Sequence, residues 1–196
     1  MHKKIKVLIV IGTRPNYMKI SKFKLLTESK YNSIQIKILH TGQHYDKNLS
    51  SNFFKQLGFE PDYLLDIKGS SAVGQLSEII LEIERITKNE FSPDLILVPG
   101  DVNSTLAGAL AANKLGIPLG HIESGLRSFD REMPEEINRI ITDELSSFFF
   151  VSEPSGVENL INEGKNKDSI FFVGNTMIDS MILFEKEIES VDISHI

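Results

Sequence analysis

Three carboxylates and two cations stand where short apolar runs of this sequence end or where helical patterns begin. The carboxylates are Asp101, Glu123 and Glu135, and the cations are Arg14 and Lys19. A carboxylate can remove or deliver a proton and can stabilise positive charge, whereas arginine and lysine bind phosphate groups. Together these residue types suit a substrate that carries phosphate and gains or loses a proton.

The elements that must position these side chains follow from the hydrophobic pattern. Runs rich in β-branched residues predict strands, and the segments between them show helical periodicity. The predicted strands are 5–12, 34–40, 63–67, 94–100, 117–122, 147–151 and 170–174. The predicted helices are 15–29, 46–57, 72–88, 103–115, 134–145, 154–163 and one that begins near 176.

This alternation predicts an α/β fold. Strands that are apolar along their whole length need cover on both faces, so we expect a doubly wound parallel sheet of the Rossmann-like class. Ligands of such sheets bind beyond the carboxyl ends of the strands, where loops lead into helices. All five side chains named above are predicted to lie at that edge.

Composition limits the class of protein. With 196 residues and 41% apolar content, the chain can bury one sizeable core. No apolar run approaches the roughly 20 residues of a membrane span, and the lack of cysteine excludes disulfides and thiolate metal sites. The net charge of −6 does not favour nucleic acid. We expect a cytoplasmic protein that binds a small molecule or another protein, without metal or cofactor.

Each candidate residue also has a structural interpretation. Asp101 is placed to cap the helix that follows it, and Glu123 could form an ion pair with Arg127. Arg14 and Lys19 could be solvated charges on a helix surface. What favours chemistry is that all of them are predicted at one edge of one sheet.

Adjacent glutamates and two histidines have similar alternatives. Glu135 and Glu136 suit the first turn of a helix, and Arg139 lies at the spacing of a surface ion pair with them. His44 and His121 fit half-buried hydrogen-bonding residues better than metal ligands, because no histidine and carboxylate cluster has metal-ligand spacing.

Five sequence blocks carry a resemblance to a known family. They occur in unbroken order within residues 5 to about 185, and they are GTRPNYMK (12–19), TGQHYD (41–46), PGDVNSTLAGALAANKLGIP (99–118), GHIESGLRSFDREMPEEINR (120–139) and VGNTMIDS (173–180). The chain resembles the N-terminal domain of the non-hydrolysing UDP-N-acetylglucosamine 2-epimerase family. Five blocks in register are more specific than a single glycine motif.

The resemblance implies a fold and an activity. Members have two Rossmann-like domains in the glycosyltransferase-B arrangement, with the active site between them. Residues 1–196 correspond to the first domain alone, and the helix from about 176 would lead to a second domain that this chain lacks. The implied reaction interconverts UDP-GlcNAc and UDP-ManNAc by elimination of UDP to an enzyme-bound 2-acetamidoglucal, followed by re-addition.

The resemblance also implies residue roles. Asp101, Glu123 and Glu135 would be the acid/base and charge-stabilising carboxylates, and the sequence does not show which one is the base. The implied substrate-binding residues are Arg14, Lys19, Gln43 and His44. The first two would serve the substrate and its diphosphate, and the last two border a second, regulatory UDP-GlcNAc site in relatives.

Some features depart from the family pattern. Ser124 stands where many relatives have alanine, and Glu144 stands where many have histidine. Neither departure touches the three carboxylates, and the more serious one is that the sequence stops about where the family's chain would cross into its second domain. Other functions stay open: a hydrolysing 2-epimerase, an epimerase of another UDP-2-acetamido sugar, or a non-catalytic remnant that binds nucleotide sugar or dimerises. The expected partner is a second copy of the chain or a complementing second-half chain.

Overall fold

Seven parallel strands form a single sheet in the order β3-β2-β1-β4-β5-β6-β7. The computed structural model describes residues 3–42 and 60–189. The strands are β1 (Ile5–Ile11), β2 (Ile34–His40), β3 (Tyr63–Leu64), β4 (Leu95–Pro99), β5 (Leu119–Ile122), β6 (Phe148–Val151) and β7 (Ile170–Phe172). The helices are α1 (Arg14–Ser29), α2 (Ala72–Asn89), α3 (Asn103–Leu115), α4 (Pro134–Leu145), α5 (Pro154–Asn162), α6 (Thr176–Leu183) and α7 (Glu185–Glu189), with one 3₁₀ turn at Lys167–Ser169.

Strand β1 shows why the strands are apolar along their length. Side chains of a strand alternate between the two faces of the sheet. Leu8 and Val10 belong to one buried cluster, whereas Val7, Ile9 and Ile11 belong to a second cluster on the opposite face. Because both faces are covered, the doubly wound Rossmann-like fold predicted from the sequence is confirmed.

The helices divide between these two faces. Helix α2 buries Ile79, Ile83 and Ile86 in the cluster that contains Leu8, and α3 adds a row of alanines to it. Helix α1 buries Ile20 against the other face. The α6 helix packs beside α1. The Rossmann-like prediction requires this arrangement, because crossover helices cover a parallel sheet on both sides.

A short buried polar contact joins α6 to α1. The hydroxyl of Ser180 lies within hydrogen-bonding distance of the Met18 carbonyl and the Ser21 hydroxyl. Ser21 and Ser180 are both buried. The contact therefore fixes α6 to the helix that also carries Lys19.

Most predicted boundaries agree with the structure within two residues, which is the usual uncertainty of helix ends. The strand predicted at 63–67 is shorter, since only 63–64 pair with β2. Strand β5 begins at Leu119, because Pro118 has no N–H to donate to a neighbouring strand. The helix predicted at 46–57 lies outside the described residues. Among the helices that are described, none has the length and apolar character of a membrane span.

His40 ends β2 as a buried histidine. Its side chain is 4% exposed, and its ring stacks on Tyr17 with 5.1 Å between ring centroids. The Gly42 amide donates a hydrogen bond of 3.0 Å to His40 Nδ1, which must be unprotonated to accept it. Burial lowers the pKa of His40 to about 4.

We predict that His40 makes the stability of the protein dependent on pH. In the unfolded chain a histidine takes up a proton near pH 6.5, whereas folded His40 does so only near pH 4. The stability that neutral, buried His40 contributes is fully present above pH 6.5 and is lost as the pH falls through the folded pKa of about 4. From about pH 7.5 to about pH 5 it should cost about 2 kcal/mol of unfolding free energy, measured by urea denaturation.

The matched variant is His40→Asn, whose side-chain oxygen can still accept from the Gly42 amide. Its loss of stability over the same pH range should be smaller than that of the wild type by about 2 kcal/mol. Equal losses in both proteins would contradict a neutral, buried His40.

Candidate active site

The first turn of α1 is fastened to the end of β4. Asn16 Oδ1 accepts hydrogen bonds from the amides of Gly12 and Thr13 at 3.2 and 3.1 Å. Asn16 Nδ2 donates to the Pro99 carbonyl at 3.2 Å. Because β1 and β4 are neighbours while α1 and α3 leave toward opposite faces, a crevice opens here, where ligands of doubly wound sheets bind.

Lys19 and Glu123 form an ion pair in this crevice. Lys19 Nζ donates to Glu123 Oε2, and the two side chains are only 11% and 24% exposed. Glu123 has a left-handed backbone with φ 69°, a conformation that costs a non-glycine residue about 1–2 kcal/mol. Its amide donates to the Phe150 carbonyl at 2.8 Å. A strained residue held by defined partners is typical of a functional position.

Asp101 follows β4 and is paired with an arginine. Arg139 donates from Nε and Nη2 to Asp101 Oδ2 at 3.0 and 2.7 Å. Asn138 also donates to the Asp101 carbonyl at 2.8 Å. The alternative in which Asp101 caps the next helix is wrong, because the residue in the N-cap position of α3 is Val102.

The two glutamates that begin α4 lie in different environments. Glu136 is buried, and its carboxylate accepts from the amides of Ser128 and Phe129, each at 3.0 Å, and from Arg139 at 2.8 Å. Burial alone would raise the pKa of Glu136, but these hydrogen bonds lower it below its ordinary value. Glu135 is exposed in the same turn. Glu136 therefore holds the loop, while Glu135 is accessible to a ligand.

The buried side chains of His121, Asp143 and Arg127 lie behind the turn that carries Glu123, and exposed Glu163 is bonded to Arg127. His121 Nδ1 is 2.6 Å from Asp143 Oδ1, and Arg127 Nη1 is 2.7 Å from Asp143 Oδ2. Arg127 also donates to Glu163 from Nε and Nη2, at 2.8 and 2.6 Å. The expected pairing of Arg127 with Glu123 is therefore wrong. His121 is a hydrogen-bonding residue, as expected, but it is fully buried.

The turn after Glu123 is pressed against α5. Gly125 has φ 78°, and a Cβ atom there would lie 2.3 Å from the Gly156 carbonyl oxygen. Asn159 of α5 donates to the Gly125 carbonyl at 2.9 Å. Glycine is required here both by the backbone conformation and by the close approach of α5.

The structure thus brings Lys19, Asp101 and Glu123 to one edge of the sheet. Glu135 lies in the turn that is fastened to Asp101 through Arg139. Arg14 is exposed at the start of α1, whereas Gln43 and His44 lie outside the described residues. The crevice beside the Lys19–Glu123 pair is lined by Lys19, Ile122, Glu123, Ser152, Gly174, Asn175 and Thr176. Within residues 3–42 and 60–189, no group of three or more histidines or carboxylates could hold a metal ion.

We predict that Gly125→Ala destabilises the protein more than Gly116→Ala does. Gly116 also has a left-handed backbone, with φ 66°, but a Cβ atom there would meet nothing within 4 Å. Both variants carry the strain of about 1–2 kcal/mol, and only Gly125→Ala adds a backbone clash of about 1–3 kcal/mol. Urea unfolding measures the difference, and equal losses would contradict the tight contact with α5.

We also predict that replacing Glu136 by glutamine lowers the stability of the protein more than replacing Glu135 does. Glu136→Gln should cost about 2–3 kcal/mol, since it removes a buried charge that Arg139 and two amides need as a partner. Glu135→Gln should cost less than about 1 kcal/mol, because an exposed glutamate contributes only to the helix dipole. The free energy of unfolding of the two variants is measured by urea denaturation. A larger loss for Glu135→Gln would contradict the structural role of Glu136.

Comparisons with known proteins agree with this geometry. The family described as UDP-N-acetylglucosamine 2-epimerase matches residues 27–196. A UDP-N-acetylglucosamine 2-epimerase of Methanococcus maripaludis is 45% identical over 179 residues, which cover 90% of this chain and 47% of that protein. A UDP-2,3-diacetamido-2,3-dideoxy-D-glucuronate 2-epimerase of Pseudomonas aeruginosa is also 45% identical, over 95% of this chain and 53% of its own length.

A solved structure shows the same fold. The UDP-GlcNAc 2-epimerase of Methanocaldococcus jannaschii, in complex with UDP-GlcNAc and UDP, superposes with a TM-score of 0.88 at 41% identity, over 96% of this chain and 51% of that one. The chain therefore spans about half the length of the relatives it matches. Since the family match covers most of the sequence and the fold agrees, this chain belongs to the UDP-N-acetylglucosamine 2-epimerase family.

Proposed function

We propose that this chain forms the N-terminal half of an epimerase that interconverts UDP-GlcNAc and UDP-ManNAc. The observation that carries the proposal is the pairing of Lys19 with the strained Glu123 at the crevice, with Asp101 at the end of the neighbouring strand. The solved relative from Methanocaldococcus jannaschii, whose complex contains UDP-GlcNAc and UDP, supports this choice of substrate.

The chemistry explains why carboxylates are needed. The hydrogen on C2 of the sugar is not acidic, so its removal must accompany departure of UDP. The C2–H and C1–O bonds break, a C1=C2 double bond forms, and positive charge builds on the ring. One carboxylate can take the proton while another stabilises this charge. In the return step C2 is protonated from the opposite face and UDP re-forms its bond to C1.

Asp101, Glu123 and Glu135 are our candidates for these roles, and the base among them is not assigned. Lys19 holds Glu123 at the crevice, and an incoming diphosphate would compete with Glu123 for the same ammonium group. Arg14, exposed at the first turn of α1, is the second candidate cation for the diphosphate. The reaction balances without a redox cofactor, so the proposal includes none.

Because the chain spans about half the length of its relatives, we propose that a second Rossmann-like half completes the cleft. The partner is then a complementing chain or domain, and a homodimer of the complete protein stays part of the proposal. Gln43 and His44 remain candidates for binding UDP-GlcNAc. A cytoplasmic location is consistent with the lack of cysteine, since disulfides mark oxidising compartments.

A second candidate substrate follows from the comparisons. The Pseudomonas aeruginosa relative, named for a UDP-2,3-diacetamido-2,3-dideoxy sugar acid, is as similar to this chain as the relative from Methanococcus maripaludis. The same elimination and re-addition at C2 would serve either sugar. The substituents on C3 and C6 distinguish the two substrates.

The test measures deuterium incorporation at C2 of either UDP-sugar in deuterated water. The chain is assayed alone and fused to the second half of the Methanococcus maripaludis relative. We expect exchange by the fusion and slow or no exchange by the chain alone. The substrate that exchanges identifies the specificity, and free ManNAc as the product would indicate a hydrolysing enzyme.

Two variants of the fusion make the test specific. Glu123→Gln should reduce exchange at least about 100-fold, as expected for loss of an acid/base group, with stability changed by no more than about 1 kcal/mol. Glu158→Gln, on the exposed side of α5, is the control and should leave exchange unchanged. A folded fusion without exchange on either substrate would overturn the epimerase proposal and favour a non-catalytic binding domain.

A further inference from the structure

His121 has an acceptor at each of its ring nitrogens. Its Nε2 is 2.8 Å from the carbonyl oxygen of Gly100, and its Nδ1 is 2.6 Å from a carboxylate oxygen of Asp143. The side chain is fully buried, so water cannot replace either partner. A carbonyl oxygen can only accept, so Nε2 must carry a proton.

Whether Nδ1 of His121 carries a proton depends on whether Asp143 is ionised. Asp143 Oδ2 accepts from the Gly125 amide at 3.0 Å and contacts Arg127 Nη1 at 2.7 Å. Burial opposes ionisation of Asp143, but the charge and hydrogen bond of Arg127 lower its pKa, and the hydrogen bond from the Gly125 amide also favours the carboxylate. An ionised Asp143 has no proton to give, so Nδ1 of His121 must also carry one.

We propose that both ring nitrogens of His121 carry protons and that His121 acts as the positioning residue for Asp101 and Glu123. Its Nε2–H donates to the carbonyl of Gly100, which precedes Asp101. Gly100 has a left-handed backbone with φ 72°. Through Asp143, its Nδ1–H is linked to the amide of Gly125, two residues after Glu123.

The two strand ends are therefore joined by one buried cation. β4 and β5 are paired up to the positions of Pro99 and Ile122, and the Gly100 amide also donates to the Ile122 carbonyl at 3.0 Å. Beyond this bond, the side chain of His121 links the two turns that carry the carboxylates, and its loss would remove that link. A displacement of about 1 Å in a catalytic group costs on the order of 100-fold in rate.

The protonation state can be tested on the chain as it stands. The histidine rings are labelled with ¹⁵N, and their nitrogen resonances are recorded near neutral pH. The resonances of His121 are those missing from the spectrum of His121→Asn or His121→Gln, and either variant suffices. We expect both ring nitrogens of His121 to carry protons. A resonance of an unprotonated ring nitrogen at this position would overturn the assignment.

The positioning role rests on the proposed function and is tested separately in the fusion protein. His121→Gln retains a donor near Nε2, and His121→Asn retains one near Nδ1, but neither carries charge. We expect kcat to fall about 100-fold in both variants while KM changes much less, at a temperature where both are folded. Wild-type kcat in either folded variant would overturn the role. If the wild-type fusion shows no exchange, the epimerase proposal fails, while the nitrogen resonances still decide the protonation state.

Discussion

The parallel pairing of β1 with β4 is the constraint on which the site depends. The two strands end at the same edge, yet α1 and α3 leave them toward opposite faces of the sheet, so neither of these helices closes the space between the two loops. Asn16 fixes the width of this space by bonding both strand ends. Lys19, one turn further along α1, then reaches Glu123 at the end of β5. The position of the crevice is thus a consequence of strand order, and side chains such as Asn16 affect only its width.

Charges at the crevice are organised in pairs, because a partly buried charge without a partner is costly. Lys19 compensates Glu123, and Arg139 is shared between Asp101 and Glu136. The Lys19–Glu123 and Arg139–Asp101 pairs also join elements that are distant in sequence, so electrostatics and tertiary structure depend on each other. Under the proposed function, a diphosphate that binds Lys19 would release the carboxylate of Glu123 from this ion pair.

Much of the fold could be predicted from the sequence, because strands buried on both faces leave a continuous apolar signature and helices leave a periodic one. The edge of the sheet that carries the site followed from the same topology. Which charged side chains form ion pairs with each other could not be predicted. Glu123 has a left-handed backbone and binds Lys19, 104 residues away, whereas nearby Arg127 is bonded to Asp143 and Glu163. Such a conformation depends on neighbouring strands and leaves no local signal at a glutamate. Asn16 and Asp143 were also missed, since isolated amide and carboxylate residues in helical patterns are usually solvated.

Glu135 and Glu136 are adjacent in the first turn of α4, yet one is exposed and the other is buried. Successive residues of an α-helix point about 100° apart, so the glutamate pair that begins α4 cannot present both carboxylates to one surface. Glu136 faces inward and its loop and arginine bonds are all satisfied within the protein. A carboxylate with its acceptor sites filled is poorly suited to take a proton from a sugar, whereas an exposed one has that capacity. This difference supports our proposal that Glu135, and not Glu136, is a candidate for the chemistry.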